Sequence, residues 1–198
     1  LVLSTELHEH ESDIFIVCVG TPVDTRGRVN MNPLINASTA VGKILKPHDI
    51  VILRSTVPIG TCRKEVLPIL EKHSGLKAGV EFSLAFAPER TVEGKALEEL
   101  RTLPQVIGGF NRQSLNEATK LFQIFAKMIV AVDSLEEAEA VKLLNNTFRD
   151  VSFGFANEVA LAMHGHGLSA RNVIRAANEG YVRNPIPLPS PGVGGACL

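Results

Sequence analysis

Five short apolar runs, each closed by glycine, proline or a charged residue, divide the first 132 residues and constrain the fold more than any other feature. Residues 13–19 (DIFIVCV) end at Gly20-Thr21-Pro22 and read as a buried parallel strand. Asn32 as N-cap and Pro33 in the first turn predict a helix to about residue 45, which Lys46-Pro47 ends. Residues 49–54 (DIVILR) form the next strand, and Thr61 after the following loop caps a helix to about residue 73. Residues 81–87, 104–109 and 129–132 read as three more strands, the last at an edge, with an amphipathic helix over about 113–127. Strands alternating with helices at this spacing imply an α/β fold with a Rossmann-type parallel sheet. Ligands bind such sheets at the carboxyl ends of the strands. That rule selects Gly20-Thr21-Pro22, Ser55-Thr56 and Pro88-Glu89-Arg90.

The pattern changes at Ser134. Ser134 and Glu137 make a capping box, and the next ~30 residues hold no proline. One long helix to about residue 164 follows, near ~45 Å at 1.5 Å per residue, then a shorter helix opened by Ser169. A helix of that length suits a spine between domains or a dimer interface. The division expected is residues 1–133 as a partial α/β domain and 134–198 as a long-helix, all-α domain. Residues 184–195, rich in proline and glycine, exclude regular structure there.

Composition narrows the class. A net charge of −1 argues against nonspecific nucleic-acid binding, and no apolar run is long enough to span a bilayer. Cys18, Cys62 and Cys197 are odd in number and widely spaced, which excludes a disulfide framework and fits a reducing, cytoplasmic setting. His8 with His10 and His164 with His166 lack helix-face spacing and cysteine partners, so no metal site is expected. An initial Leu1 and no signal-peptide pattern fit an internal start, and the chain reads as a piece of a larger enzyme.

Gly165-His166-Gly167-Leu168-Ser169-Ala170 matches the form of a dinucleotide fingerprint, but a long helix precedes it where a strand is required. These glycines read as a helix C-cap and turn. Lys142 and Asn146 share one helix face, and Arg149 extends the stripe. This is either a solvated polar face or, since Val141, Leu143, Leu144, Phe148 and Val151 are apolar and imply a largely buried helix, a lysine with a task. Glu89 and Glu93 either position water or a sugar hydroxyl, or belong to a charged surface loop. Thr56 either donates to substrate or satisfies a turn. Cys18 reads as inert core, and Cys62, in a first helical turn, as structural. Cys197, on the glycine-rich run 192–197, is placed like a nucleophile.

Six motifs occur in one order: V-G-T-P (19–22), S-T-V-P-x-G-T (55–61), P-E-R-x-x-E-G (88–94), E-A-x-K-L-x-x-N (139–146), N-E (157–158) and G-x-G-G-x-C (192–197). Together they resemble the middle of a UDP-glucose/GDP-mannose dehydrogenase family enzyme, without the opening fingerprint and the final nucleotide domain. The resemblance implies NAD as cofactor, a UDP-sugar substrate, a homodimer through the long helix, and oxidation of a sugar C6 alcohol to a carboxylate for surface polysaccharide. It gives Lys142 the alcohol, Cys197 the aldehyde as a covalent nucleophile, Glu89 the hydrolytic water, and Thr56 and Asn146 that water or the C6 oxygen. Gly20, Thr21, Pro22, Ser55, Thr56 and Glu93 would line the NAD pocket. Arg90, Thr91, Lys142, Asn146, Arg149, Arg183 and Gly192 would contact substrate. Arg90, the run from Asn146 to Asp150 and the glycine run before Cys197 resemble the UDP-N-acetylhexosamine branch, most of all UDP-N-acetylmannosamine enzymes; Glu93-Gly94 is similar to the glucose enzymes. Two other readings stand beside this: a dimerisation module without catalysis, and a β-hydroxyacid dehydrogenase of similar layout, which needs no thioester-forming cysteine.

Overall fold

The computed structural model describes residues 3, 5, 7, 12–183 and 185–190. They divide into two compact units, residues 1–142 and 143–198.

The first unit is a five-stranded sheet in sequential order, β1 (Ile14–Val17), β2 (Ile50–Leu53), β3 (Ser83–Phe86), β4 (Gln105–Gly109) and β5 (Ile129–Val132). β1, β2 and β3 are parallel, as are β4 and β5, but β3 and β4 pair antiparallel through Ala85 with Gly109 and Phe86 with Gly108. The sheet is thus mostly parallel, as expected from sequence, with one antiparallel junction between β3 and β4 that the sequence did not reveal. The β3–β4 connection carries only a short helix, α3 (Ala96–Thr102), which buries no residue and which the apolar pattern does not reveal.

Helices α1 (Asn32–Ile44) and α2 (Leu67–Ser74) pack on one face of the sheet, where Leu34, Val41 and Leu70 meet Val51, Leu53, Leu84 and Phe86. Helix α4 (Arg112–Phe122) covers the other face, setting Ala118 and Phe122 on Ile50, Ile52 and Ile107. β1 is not the buried strand expected. Phe15 and Val17 are buried, but Ile16 on the opposite face is 50% exposed, and Cys18 is exposed rather than core.

Two helix starts differ from expectation. Met31, not Asn32, is the N-cap of α1, and no side chain caps it. The Thr61 hydroxyl donates to the Pro58 carbonyl, and the turn that follows is a π-helical segment, Cys62–Val66, leading into α2. Gly108 marks a close approach: a Cβ there would lie 2.1 Å from the Ser134 carbonyl oxygen, just before the long helix begins.

Helix α5 (Leu135–Gly165) is 31 residues long and starts where the capping box predicts, with the Glu137 N–H donating to Ser134 Oγ at 3.1 Å. Its first turns belong to the first unit, where Leu135 and Ala138 are buried in the core. In the second unit the helix is not largely buried: Leu144, Phe148, Val151 and Phe155 are exposed, Phe148 at 76%. Gly167 at φ 66° and the bond from the Leu168 N–H to the Met163 carbonyl close the helix, as the C-cap reading of that glycine pair requires. Helix α6 (Ala170–Asn178) is capped by Ser169. The proline-rich segment after it is tied back: Asn178 brackets Ile186 through its N–H and carbonyl, and Asn157 Oδ1 accepts from the Ser190 N–H at 3.0 Å. No described helix is long and apolar enough to cross a membrane.

Candidate functional site

The carboxyl ends of β1 and β2 run side by side, and their loops are stitched together. Ser55 Oγ donates to the Val19 carbonyl at 2.7 Å, and Thr21 Oγ1 to the Thr56 carbonyl at 2.5 Å. Gly20 and Pro22 remain exposed on this rim, and a Cβ on Gly20 would meet nothing within 4 Å. Gly20, Thr21, Pro22, Ser55 and Thr56 are uncharged, so the rim can take a ribose or a flat ring without displacing an ion pair. This fits the nicotinamide dinucleotide that the sequence resemblance implies. Glu93, the sixth residue assigned to that pocket, is exposed on the loop after β3.

Beside this rim, Lys142 Nζ donates to the backbone carbonyl of Glu89, so two residues 53 apart in sequence meet. The Glu89 carboxylate has its own partners. Oε1 accepts from the Thr91 N–H at 2.8 Å, and Oε2 lies 2.7 Å from Nη2 of Arg54. Burial pushes this carboxyl up, but Thr91 and the Arg54 guanidinium outweigh it and pull it down to about 2. Glu89 is therefore ionised across the working pH range, with its side chain 42% exposed. Arg90 turns away from it, and Nη2 donates to the Pro104 carbonyl.

Sequence reasoning missed two charged residues that build this site. Arg54 is one of them. Glu139, one turn before Lys142 on α5, is the other: it is fully buried and accepts from the Gly60 N–H at 2.5 Å and the Cys62 N–H at 2.8 Å. Gly60 reaches this position with φ at 92°, which favours glycine. Burial raises the Glu139 carboxyl against the pull of those two N–H groups. Cys62 is buried, and burial together with Glu139 pushes its thiol well above the usual range, so a reactive role is excluded and the structural reading holds. A signal was present for Arg54, a charged residue closing an apolar strand run. Local spacing could not supply the partners of either residue.

The remaining assigned residues lie in the second unit or outside the described residues. In the second unit Asn146 is partly buried, and Arg149 and Arg183 are exposed, Arg183 with its guanidinium 5.9 Å from the Tyr181 ring centre. Cys197 and Gly192 lie outside the described residues. Among the described residues no group of histidine, cysteine and carboxylate side chains could hold a metal ion.

Residues 1–126 match the UDP-glucose/GDP-mannose dehydrogenase family, NAD binding domain, and residues 136–198 match the same family's central domain. UDP-N-acetyl-D-mannosamine dehydrogenase of Pyrococcus horikoshii is 38% identical over 187 residues, which is 94% of this chain and 44% of that protein. UDP-N-acetyl-D-glucosamine 6-dehydrogenase of Pseudomonas aeruginosa is 33% identical over 187 residues, 94% of this chain and 44% of that one. The solved structure of the Pyrococcus horikoshii UDP-D-ManNAc dehydrogenase superposes with a TM-score of 0.89 at 38% identity, covering 94% of this chain and 44% of that chain. This chain thus spans about half the length of the curated relatives it matches. The matches in both units, with the stitched rim and the lysine beside it, show that the chain belongs to the UDP-glucose/GDP-mannose dehydrogenase family.

Proposed function

We propose that this chain is part of an NAD-dependent enzyme that oxidises the C6 alcohol of UDP-N-acetylmannosamine to the uronate, for a surface polysaccharide. The observation that carries the reading is the meeting of Lys142 with Glu89 beside the uncharged rim. The identity to the Pyrococcus horikoshii enzyme supports the choice of sugar. NAD⁺, when bound, would supply the hydride acceptor for each of two oxidations, one molecule for the alcohol and a second for the thiohemiacetal. Lys142 takes up the alcohol proton or stabilises the developing oxyanion. Cys197 attacks the aldehyde carbon, forming a C–S bond, and the thioester formed on its oxidation is cleaved by water, with the thiolate leaving. Glu89 assists that water, while Thr56 and Asn146 hold it or the C6 oxygen. Arg90, Thr91, Arg149, Arg183 and Gly192 contact the substrate, and Gly20, Thr21, Pro22, Ser55, Thr56 and Glu93 line the cofactor pocket. Residues 1–133 form the partial cofactor-binding domain, and residues 134–198, which carry Lys142, Asn146 and Cys197, dimerise the cytoplasmic enzyme through the exposed apolar residues of α5. A second reading, UDP-N-acetylglucosamine as the sugar, is favoured by the identity to the Pseudomonas aeruginosa enzyme.

The test is made in the full-length enzyme. Cys197→Ala is expected to abolish uronate formation, and Lys142→Ala to lower kcat by about 10²-fold or more with NAD affinity little changed. Wild-type turnover in Cys197→Ala would remove the nucleophile. Loss of NAD binding alone in Lys142→Ala would move that lysine to the cofactor site.

A further inference from the structure

We propose that Arg54 is a positioning residue for Glu89, fixing the carboxylate from within the sheet so that it acts as an ionised acceptor orienting water rather than as the base that takes water's proton. The proposal rests on the assignment of Glu89 to hydrolysis.

β2 is four consecutive buried residues, and Arg54 follows them at 5% exposure. Strand alternation places it on the side of Ile50 and Ile52, the apolar face covered by Phe122. A guanidinium in such a place costs several kcal/mol unless it is paired. Its carbon lies 5.1 Å from the Phe122 ring centre, a cation–π contact. Nη1 has no hydrogen-bond partner among the described residues, so the bond from Nη2 to Glu89 is where this buried charge is answered.

The backbone makes the same pairing. The Glu89 N–H donates to the Arg54 carbonyl at 3.3 Å, next to the bond from the Ala87 N–H to the Leu53 carbonyl. Arg54 and Glu89 are thus joined through main chain and side chain. Thr91 holds one carboxylate oxygen and Arg54 the other, while the side chain stays 42% exposed. Other groups act on it too. Lys142 on α5 holds its carbonyl, and the Cys18 thiol, one residue past β1, is raised first by burial, with Arg54 opposing and Glu89 adding to that rise. Arg54 is the cation in direct contact with the carboxylate among the described residues. A carboxylate held down to about 2 is a weak base, so its contribution is geometric and electrostatic.

The measurement is the pH profile of kcat in the full-length enzyme for Arg54→Met, Arg54→Lys, Glu89→Gln and the double variant Arg54→Met/Glu89→Gln. In wild type no acid limb from Glu89 is expected above about pH 4. Arg54→Met is expected to bring a limb into the measurable range, at least about one pH unit higher, and to lower kcat about 10–100-fold with KM for the sugar little changed. Arg54→Lys should restore part of both. In the Glu89→Gln background Arg54→Met should add nothing. A folded Arg54→Met with wild-type kcat and acid limb overturns the proposal, as does a full additive loss in the double variant. If Arg54→Met does not fold, Arg54→Lys decides: an unmoved kcat and limb overturn the proposal, and a smaller loss with a raised limb supports it. Full activity in Glu89→Gln sinks the hydrolytic role of Glu89 itself, a failure separate from that of Arg54.

Discussion

Glu89 and Glu139 are the same side chain held in two ways on either side of the loop that follows β2, and they titrate in opposite directions. Glu89 stands half-exposed, with one cation and one backbone N–H on its two oxygens, and is pulled down to about 2. Glu139 is fully buried, receives two backbone N–H groups at the start of a helix, and is nonetheless raised. Partial charges on N–H groups orient a buried carboxylate without offsetting its lost hydration. At Glu89, with water still near, the hydrogen bonds from Thr91 act first and the Arg54 charge at 2.7 Å adds to them, and together they do offset it. Glu139 is therefore suited to locking structure and Glu89 to working as a permanent anion.

The largest expected effect breaks the structural half of this contrast. Glu139→Ala strands the Gly60 and Cys62 N–H groups in the core and frees the first turns of α5, which carry Lys142. The expected loss is about 2–5 kcal/mol, at roughly 1–3 kcal/mol for each orphaned donor, read by denaturant unfolding. A loss below 1 kcal/mol would mean that the helix docks through Leu135 and Ala138 without Glu139.

Next in size is the pH dependence of stability, whose sign should differ between the two residues. Glu89 has a lowered folded value, so its contribution is present above the ordinary value of 4.5 and is lost as pH falls toward about 2. Exposure screens it, so the gain is smaller than the shift alone would give. Glu139 has a raised folded value, so its contribution is complete below the ordinary carboxylate range and declines as pH rises through the folded value. Unfolding free energies from pH 3 to 7 should show the advantage of wild type over Glu89→Gln shrinking on acidification. The advantage over Glu139→Gln should grow. Parallel curves would erase the distinction.

What was legible in the sequence follows the range of each interaction. The start of α5 at Ser134, β5 over 129–132 and the capping of α6 by Ser169 are local events, written within four residues. Strand direction is not local, and the apolar run of β4 reads the same either way, which is why its reversal against β3 was missed. The exposure of Ile16 and Phe148 was missed for a related reason: an apolar residue announces burial without naming what covers it. At the site, Lys142 and Glu89 were found through motif order. Arg54 and Glu139 were passed over because their partners lie 35 and 77–79 residues away.

The smallest effect sharpens the comparison by removing burial from it. Glu136 sits one turn before Glu139 on α5, and its carboxylate accepts from Arg63 Nε at 2.6 Å, next to the residue whose N–H Glu139 receives. Its carboxyl is lowered, first by the Arg63 hydrogen bond, in the same direction as Glu89. Here both partners are solvent-accessible, and water screens the pair while side-chain entropy opposes it. Glu136→Gln is therefore expected to cost only about 0.2–1 kcal/mol, with part of that loss disappearing in 1 M salt, whereas the cost of Glu139→Ala should hardly respond to salt. Equal costs for the two would show that direct contact with a cation, rather than burial, governs how strongly this helix is fastened beside Cys62.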